Sequence, residues 1–474
     1  MRARDEPDGR DGVDVSGNRS PNGRQDSPRE LAMNVLTQVE QEGAYSNLLL
    51  NTALQKSSLA KSDAGLATEL IYGTISRLNT LDYFLDKFVN KGVQKLQPWV
   101  RALLRISLYQ VVYLDRIPDH AVVSEAVNLA KRRGHQGISG MVNGVLRNIL
   151  RQKESLAIPE NMPAAQRISL LHSHPQWLVE RWISQYGIET TEAICAANNE
   201  PPAVSVRVNT TMISREDMLA LMSSHGLDAT PSSLSPYGIV VKGAGNMALT
   251  DWYRDGMISI QDESSMLVAE AVKPEAGMRV LDCCAAPGGK SAHMGELMKD
   301  EGSIVANDIH AHKGKLISDQ ASRLGLDSIS IVTGDALDLV DRFEPASFDR
   351  ILLDAPCSGL GVIRRKPDLK WGKSQEDIHE IAALQLRLLE SVSTLLRPGG
   401  LLVYSTCTIE PLENEGVVSA FLEGHSEFDI PKDGLGALSR LEEKSLQRGG
   451  GIQILPQHYH SDGFYIARLG RRPS

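Results

Sequence analysis

The chain is poor in cysteine: there are five in 474 residues, and no two are spaced C-x2-C. A disulfide framework and a zinc array are both excluded by that scarcity. Also missing is any uninterrupted apolar run near the roughly 18 to 20 residues needed to cross a bilayer, which excludes a membrane-spanning helix and a membrane partner. The opening residues, MRARDEPDGRDG, are charged and have no apolar core, so a secretory signal is not expected and a cytoplasmic location is. Positive charge is not in excess either. The formal net charge of −9 argues, taken whole, against a nucleic-acid binder.

What is present is globular, with 42% hydrophobic and 23% charged residues. At roughly 150 residues per domain the length predicts about three domains. The charge is unevenly divided: residues 31–155 carry 15 basic and 10 acidic side chains, a balance of +5, while residues 156–474 hold −13. A basic front module on an acidic body is compatible with a polyanion held mainly at one end.

Residues 1–28 are rich in Asp, Gly, Arg, Ser, Pro and Asn and nearly free of large apolar side chains, so a disordered tail is expected. Residues 29–155 change to helical stripes, among them LAMNVLTQVEQ, LATELIYGTISRLNTLDYFLDKFV, VRALLRISLYQVVYL and AVVSEAVNLAKRR, broken by IPDH and GHQG. An all-helical domain is predicted. Its cations Lys131, Arg132, Arg133, Arg147 and Arg151 suit either an RNA partner or the C-terminal ends of helix dipoles.

Residues 156–270 are mixed. SHPQWLVERWISQYG reads as an amphipathic helix with Trp177 and Trp182 in a core, and PPAVSVRVNTTMISREDMLALMSSHG as a strand, a turn and a capped helix. Alternation along that strand places Arg207 and Asn209 on an exposed polar face, open to solvent or to RNA. From residue 271 to 474, MRVLDCC, GSIVAND, SISIVTGD, FDRILLDAP and GLLVYSTC alternate with helical stretches, which predicts a mainly parallel sheet covered on both faces, joined at its end by GFYIARLG.

Ligands of such sheets bind beyond the carboxyl ends of the strands, and the unusual residues cluster there. The first strand runs into Asp282-Cys283-Cys284-Ala285-Ala286-Pro287-Gly288-Gly289-Lys290, small residues and two glycines that let a ligand approach the backbone at a helix start. It is not a P-loop, because Cys284 stands where that pattern needs glycine, and G-x-G-x-x-G is absent. Asp308 ends the second strand, 18 residues after Lys290, near the distance at which an acid meets a ribose diol. Asp335 follows the third and could accept an adenine amino group; either carboxylate could instead cap a helix. Asp354-Ala355-Pro356-Cys357-Ser358-Gly359 ends the fourth strand and Ser405-Thr406-Cys407 the fifth. Cys195, Cys283 and Cys284 are expected to be buried bystanders, whereas two thiols at neighbouring strand ends suit covalent activation of a weak nucleophile.

The ordered set DCCAAPGGKSAH, DAPCSG, GVIRRKPDLKW and YSTCTIEPLENE resembles the RNA cytosine-5 methyltransferases of the NOL1/NOP2/Sun type, and RELAMNVLTQVEQ, LIYGTISRL and SGMVNGVLRNI resemble the NusB-like RNA-binding domain. Ser291, Lys366 and Leu412 depart from the family's usual Thr, His and acid. The resemblance implies an α/β Rossmann-like S-adenosylmethionine-dependent methyltransferase domain at 271–474, an all-α NusB-like N-terminal domain at 29–155, and a helical linker with a small α/β, RRM-like connector (α+β overall) at 156–270. It further implies a monomer that methylates C5 of a cytosine in unassembled or partly assembled 16S rRNA, position 967, with S-adenosyl-L-methionine as donor and no metal.

The roles carried over are these. Cys407 adds to cytosine C6, Cys357 assists loss of the C5 proton, Asp354 contacts the target ring, and Lys290 either lowers a thiol pKa or holds Asp354. Cys284, Ala285, Ala286, Pro287, Gly288, Gly289, Lys290 and Asp354 surround the donor, with Asp308 on its ribose and Asp335 near its adenine. Two other classes stay open at this point: an RNA-binding adaptor working through the helical domain, and a methyltransferase of small molecules or proteins, for which two thiols have no use.

Overall fold

The computed structural model describes residues 27–43, 45–441 and 445–473. The expected disordered tail, residues 1–28, lies outside the described residues except for its last two. The described residues divide into two compact units, one formed by those up to Thr74 with 88–151, the other by those of 75–87 with 152–473.

The first unit is built of helices: Pro28–Glu42, Ser46–Lys56, most of Lys61–Ser76, Pro98–Tyr113, Asp119–Arg133 and Gln136–Arg151. Pro28 and Pro98 each open a helix, where the missing amide would have no partner anyway. Gly43 ends the first helix in the left-handed conformation, returning its amide to Val39 O. Pro98–Tyr113 is buried on most of its surface, so it is the central rod on which the others pack.

The second unit contains two sheets. The smaller is antiparallel, formed by β1 (Val204–Val208), β2 (Asp228–Pro231), β3 (Gly238–Lys242) and β4 (Ile258–Ile260) in the order β2-β3-β1-β4. Val206, Val208, Ile239, Val241 and Ile258 face Met218 and Met222 of the helix Arg215–Ser224, whose first turn is capped by the Ser214 hydroxyl. The larger sheet comprises β5 (Arg279–Asp282), β6 (Ser303–Asp308), β7 (Ile329–Thr333), β8 (Phe348–Asp354), β9 (Leu396–Thr406), β10 (Phe428–Asp429), β11 (Leu446–Arg448), β12 (Gly451–Ile454) and β13 (Phe464–Arg471). Its order is β11-β12-β13-β9-β8-β5-β6-β7 with β10 beside β13. The run β9-β8-β5-β6-β7 is parallel and the remaining pairs are antiparallel.

Period-two alternation places both cores. Ile351, Leu353, Leu402 and Tyr404 belong to the cluster on one face, while Leu352, Leu401 and Val403 belong to the cluster on the other. Each such fully buried side chain contributes about 1.5–3 kcal/mol. Burial on both faces makes these strands near-continuous apolar runs, and it forces polar residues to the strand ends. Trp182 is fully buried, as expected of the helix Gln176–Tyr186, and Trp177 is half-buried.

The exposed strand face expected for Arg207 and Asn209 is not found, because both residues are buried. Alternation correctly turns Arg207 away from the Met218 core, but on that other side its guanidinium runs into the helix Gly289–Leu297 rather than solvent. There the Arg207 guanidinium meets Glu296 through Nε at 2.9 Å and Nη2 at 2.8 Å, and Nη1 reaches Gly289 O at 3.0 Å and Gln261 Oε1. Asn209 folds back on its own turn, accepting from the Thr211 amide and hydroxyl.

Candidate active site

Parallel pairing puts the carboxyl ends of β5, β6, β8 and β9 on one edge. Asp354 is aligned with Ser405 across β8 and β9, so the two thiols that follow emerge side by side. Cys357 Sγ and Cys407 Sγ are 3.3 Å apart, unbonded and both half-buried. The pair is asymmetric. Cys407 is held below the ordinary thiol range, chiefly because the Cys357 thiol donates to it, with Lys290 and Lys366 adding positive charge against burial and Asp354. Cys357 is pushed well above that range by the same hydrogen bond and by burial. The charge around the pair thus favours the deprotonated form at Cys407 over Cys357.

Asp354 holds the neighbouring corner. Its Oδ2 accepts from Lys290 Nζ at 2.7 Å and its Oδ1 from Ser405 Oγ at 2.7 Å, so it does not serve as a helix cap. Burial works to lower the Lys290 ammonium and is outweighed by Asp354, which raises it and keeps it charged. Lys290 is thus paired with Asp354, and its positive charge also acts to lower Cys407. The loop residue Gly361 donates its amide to Cys407 O at 3.0 Å, and its carbonyl accepts from Gly463 at 2.8 Å. A Cβ on Gly361 would come within 2.0 Å of Gly463 O, so only glycine allows this approach.

The loop from Cys284 to Lys290 turns at Gly288, whose φ of +102° side chains rarely adopt and where an added Cβ would stand 3.1 Å from Ile317 Cα. Gly289 opens the helix Gly289–Leu297, and Pro287 is exposed at the crest. Asp282, buried beneath, is pushed up to about 7 by burial, against a hydrogen bond from Ser291. Asp308 ends β6, accepting the His310 amide on Oδ1 at 3.0 Å and leaving Oδ2 without a protein hydrogen-bond partner among the described residues. Asp335 caps the short helix Ala336–Asp341 through Oδ1, which accepts from Leu337 N at 3.0 Å. Its capping role is therefore realised, with the second oxygen left over.

Cys195 and Cys283 are fully buried, and burial pushes Cys195 up to about 12 and Cys283 well above the usual range. Cys284 is raised for the same reason and lines the loop half-buried. Four residues at the site had no signal strong enough to single them out. Ser405, Glu413 and Asn414 read as ordinary loop and strand polar residues, and Ile309 stands 57% exposed directly after Asp308, an apolar side chain offered at the ligand edge.

The family described as 16S rRNA methyltransferase RsmB/F matches residues 269–470, the NusB family residues 26–151, and the RsmF/B-like ferredoxin-like domain residues 174–248. The probable ribosomal RNA small subunit methyltransferase B of Bacillus subtilis (strain 168) is 45% identical over 94% of this chain and 99% of its own length. The chain belongs to the ribosomal RNA small subunit methyltransferase B family. The methyltransferase B of Escherichia coli O127:H6 is 34% identical over 94% of this chain and 99% of its own length. Among solved structures, PH0851 aligns with a TM-score of 0.76 at 26% identity over 94% of this chain and 99% of its own length. A methyltransferase homolog protein from Pyrococcus horikoshii aligns at 0.57 and 28% identity, over 65% of this chain and 99% of that one. The architecture of methyltransferase B follows: an all-α NusB-type front end, a small antiparallel α+β element and a Rossmann-like sheet. No helix among the described residues is long and apolar enough to cross a membrane.

Proposed function

We propose that this member of the methyltransferase B family methylates C5 of a cytosine in 16S rRNA, position 967, through a covalent adduct to Cys407. The observation that carries the reading is the pair of unbonded thiols 3.3 Å apart with opposite acidities, beside the Lys290–Asp354 ion pair. The cradle suits S-adenosyl-L-methionine: Gly288 and Gly289 give backbone access, the unpartnered Asp308 oxygen suits a ribose diol, and Ile309 and Asp335 suit the face and the amine of adenine. Bound there, the donor supplies an electrophilic methyl group and departs as a thioether.

Cytosine C5 is a poor nucleophile. The Cys407 thiolate adds at C6, forming the S–C6 bond and opening the C5=C6 double bond so that its electrons become available at C5. Asp354, fixed by Lys290 and Ser405, is the group suited to accept from the exocyclic amine, or from N3 once N3 takes up the proton that neutralises the charge developing on addition. Once Cys407 is bonded to carbon, the negative neighbour that raised Cys357 is gone. Cys357 then loses its proton to solvent and takes the C5 proton, and the C6–S bond breaks to return the Cys407 thiolate and release the methylated base. A base reaching two thiols must leave its stack, so a loop or partly unfolded rRNA is the suitable substrate.

In the helical unit, Lys131, Arg147 and Arg151 line a groove of about 640 Å³ with His120, Asn128 and Asn143. Arg132 and Arg133 are spent elsewhere, on Glu30 and on Asn34 with the Trp99 ring. The groove is the part of this unit suited to an RNA backbone.

Purified variants incubated with 16S rRNA and S-adenosylmethionine test the reading on a denaturing gel. Cys407→Ala loses both methylation and adduct, whereas Cys357→Ala accumulates adduct; a persistent adduct with Cys407→Ala refutes the assignment. Tritium transfer to naked 16S rRNA, and not to tRNA or assembled small subunits, tests the substrate.

A further inference from the structure

Strand pairing brings the two thiols to one edge but does not fix the turns that carry them, since Cys357 lies three residues beyond β8 and Cys407 one beyond β9. The anchors come from a single buried dipeptide, Glu413-Asn414, in the segment Glu410–Glu415. Glu413 Oε2 accepts the Ser358 amide at 2.8 Å and Gln385 Nε2 at 3.1 Å, and that Gln385 nitrogen also reaches Pro356 O at 2.9 Å. The residues on either side of Cys357 are thereby tied down. Asn414 does the same for Cys407: its Oδ1 accepts the Thr406 hydroxyl at 2.6 Å, and its Nδ2 donates to Thr408 O at 3.0 Å and Gln453 Oε1 at 2.7 Å. Tyr404 Oη donates to Glu413 O at 2.6 Å, which pins the dipeptide to β9, and Ser358 Oγ and Thr408 Oγ1 join the two turns at 2.8 Å.

We propose that Glu413 and Asn414 are positioning residues, one for each thiol, with separable effects: Glu413 governs adduct resolution through Cys357, and Asn414 governs adduct formation through Cys407. The proposal rests on the two-thiol reading above. A carboxylate in so enclosed a place is costly to the fold, and burial pushes Glu413 up to about 7; a residue needed only for packing would not have to carry an acid. Because the two thiols act at different steps, loosening one turn leaves a signature that general destabilisation does not.

The test follows adduct appearance and decay in single-turnover reactions of the full chain with 16S rRNA and S-adenosylmethionine, on denaturing gels. Glu413→Ala and Gln385→Met loosen the Cys357 turn, Asn414→Asp and Thr406→Val the Cys407 turn, and Cys357→Ala is the reference. A displacement of about 1 Å at a reacting group slows its step on the order of 100-fold. The expected result is slow decay and accumulated adduct for the first pair, and slow appearance without accumulation for the second. Glu413→Gln, which keeps an acceptor for Ser358, restores decay relative to Glu413→Ala. Equal slowing of both steps in either pair, or accumulation with Asn414→Asp, overturns the proposal. If Cys357→Ala traps adduct and Glu413→Ala does not, only the positioning role falls; if Cys357→Ala traps none, the thiol assignment falls and takes this role with it.

Discussion

Replacing Arg207 by Met asks what the enclosed ion pair at the base of the donor loop contributes. The side chains of Arg207 and Glu296 are 0% and 2% exposed and meet through two parallel hydrogen bonds of 2.8 and 2.9 Å. Methionine fills much of the same space without charge, so the substitution leaves the Glu296 carboxylate, Gln261 Oε1 and Gly289 O facing an apolar side chain. Removing one partner of a buried pair costs about 3–5 kcal/mol, mostly as the penalty of the stranded charge. At about 2.1 cal/mol/K of unfolding entropy per residue, a unit of about 336 residues loses roughly 1.5 °C per kcal/mol, so the melting temperature falls by about 5 °C. The double variant Arg207→Met with Glu296→Leu strands no charge and recovers most of that loss, because an apolar replacement of a buried pair is often nearly neutral. Urea denaturation followed by tryptophan fluorescence gives the four corners of the cycle. Donor affinity, read by calorimetry, falls in the single variant because Gly289, the first residue of the helix after the loop, loses its anchor. A single variant within about 0.5 kcal/mol of the parent, the range of ordinary surface substitutions, refutes the reasoning, and so does a double variant as unstable as the single.

Lys290→Met removes a cation that lowers Cys407 and leaves Asp354, which raises it, without its partner; the rise of Cys407 alkylation by iodoacetamide with pH therefore moves to higher pH, and an unmoved profile contradicts the role. Lys370, fully buried with its Nζ on Ser76 O at 2.9 Å, is lowered by burial to about 7. Between that value and the unfolded value of about 10.4 the unfolded chain binds the extra proton, so stability from this group climbs with pH by up to about 1.4 kcal/mol per unit. Lys370→Met removes the climb, and denaturation midpoints taken from pH 7 to 10 against the parent check it. Arg147→Glu with Arg151→Glu weakens rRNA binding and flattens its salt dependence by about 0.7 in log–log slope per lost phosphate contact; an unchanged slope places the RNA elsewhere.

That the thiols, Asp354 and the loop Cys284–Lys290 meet was legible because a parallel sheet sends all its carboxyl ends to one edge, so small and polar residues after each apolar run converge whatever the strand order. Register was not legible, and with it went the Ser405 hydrogen bond to Asp354, which depends on Asp354 and Ser405 being level. Arg207 shows a second limit. Alternation tells which way a side chain points but not what covers that face, and an arginine opposite a glutamate on a distant helix looks the same in sequence as one in solvent. Glu413 and Asn414 were hidden for the related reason that polar residues in a loop read as exposed; their burial comes from the helix Gln375–Ser393 and from β12, through Gln385 and Gln453. Asp335 was legible as a carboxylate at the ligand edge but not as one already half used by a helix cap.

The placement of β9 between β8 and β13 has a consequence for how the site is reached. Its residues Leu401–Ser405 are paired on both sides, parallel to one neighbour and antiparallel to the other, and all five are buried. Interior strands of this kind exchange their amide protons only in the rarest openings of a protein. Cys407 thus hangs from some of the least yielding backbone in the molecule, so on the proposed mechanism the cost of bringing reactants together falls on the RNA, which must distort.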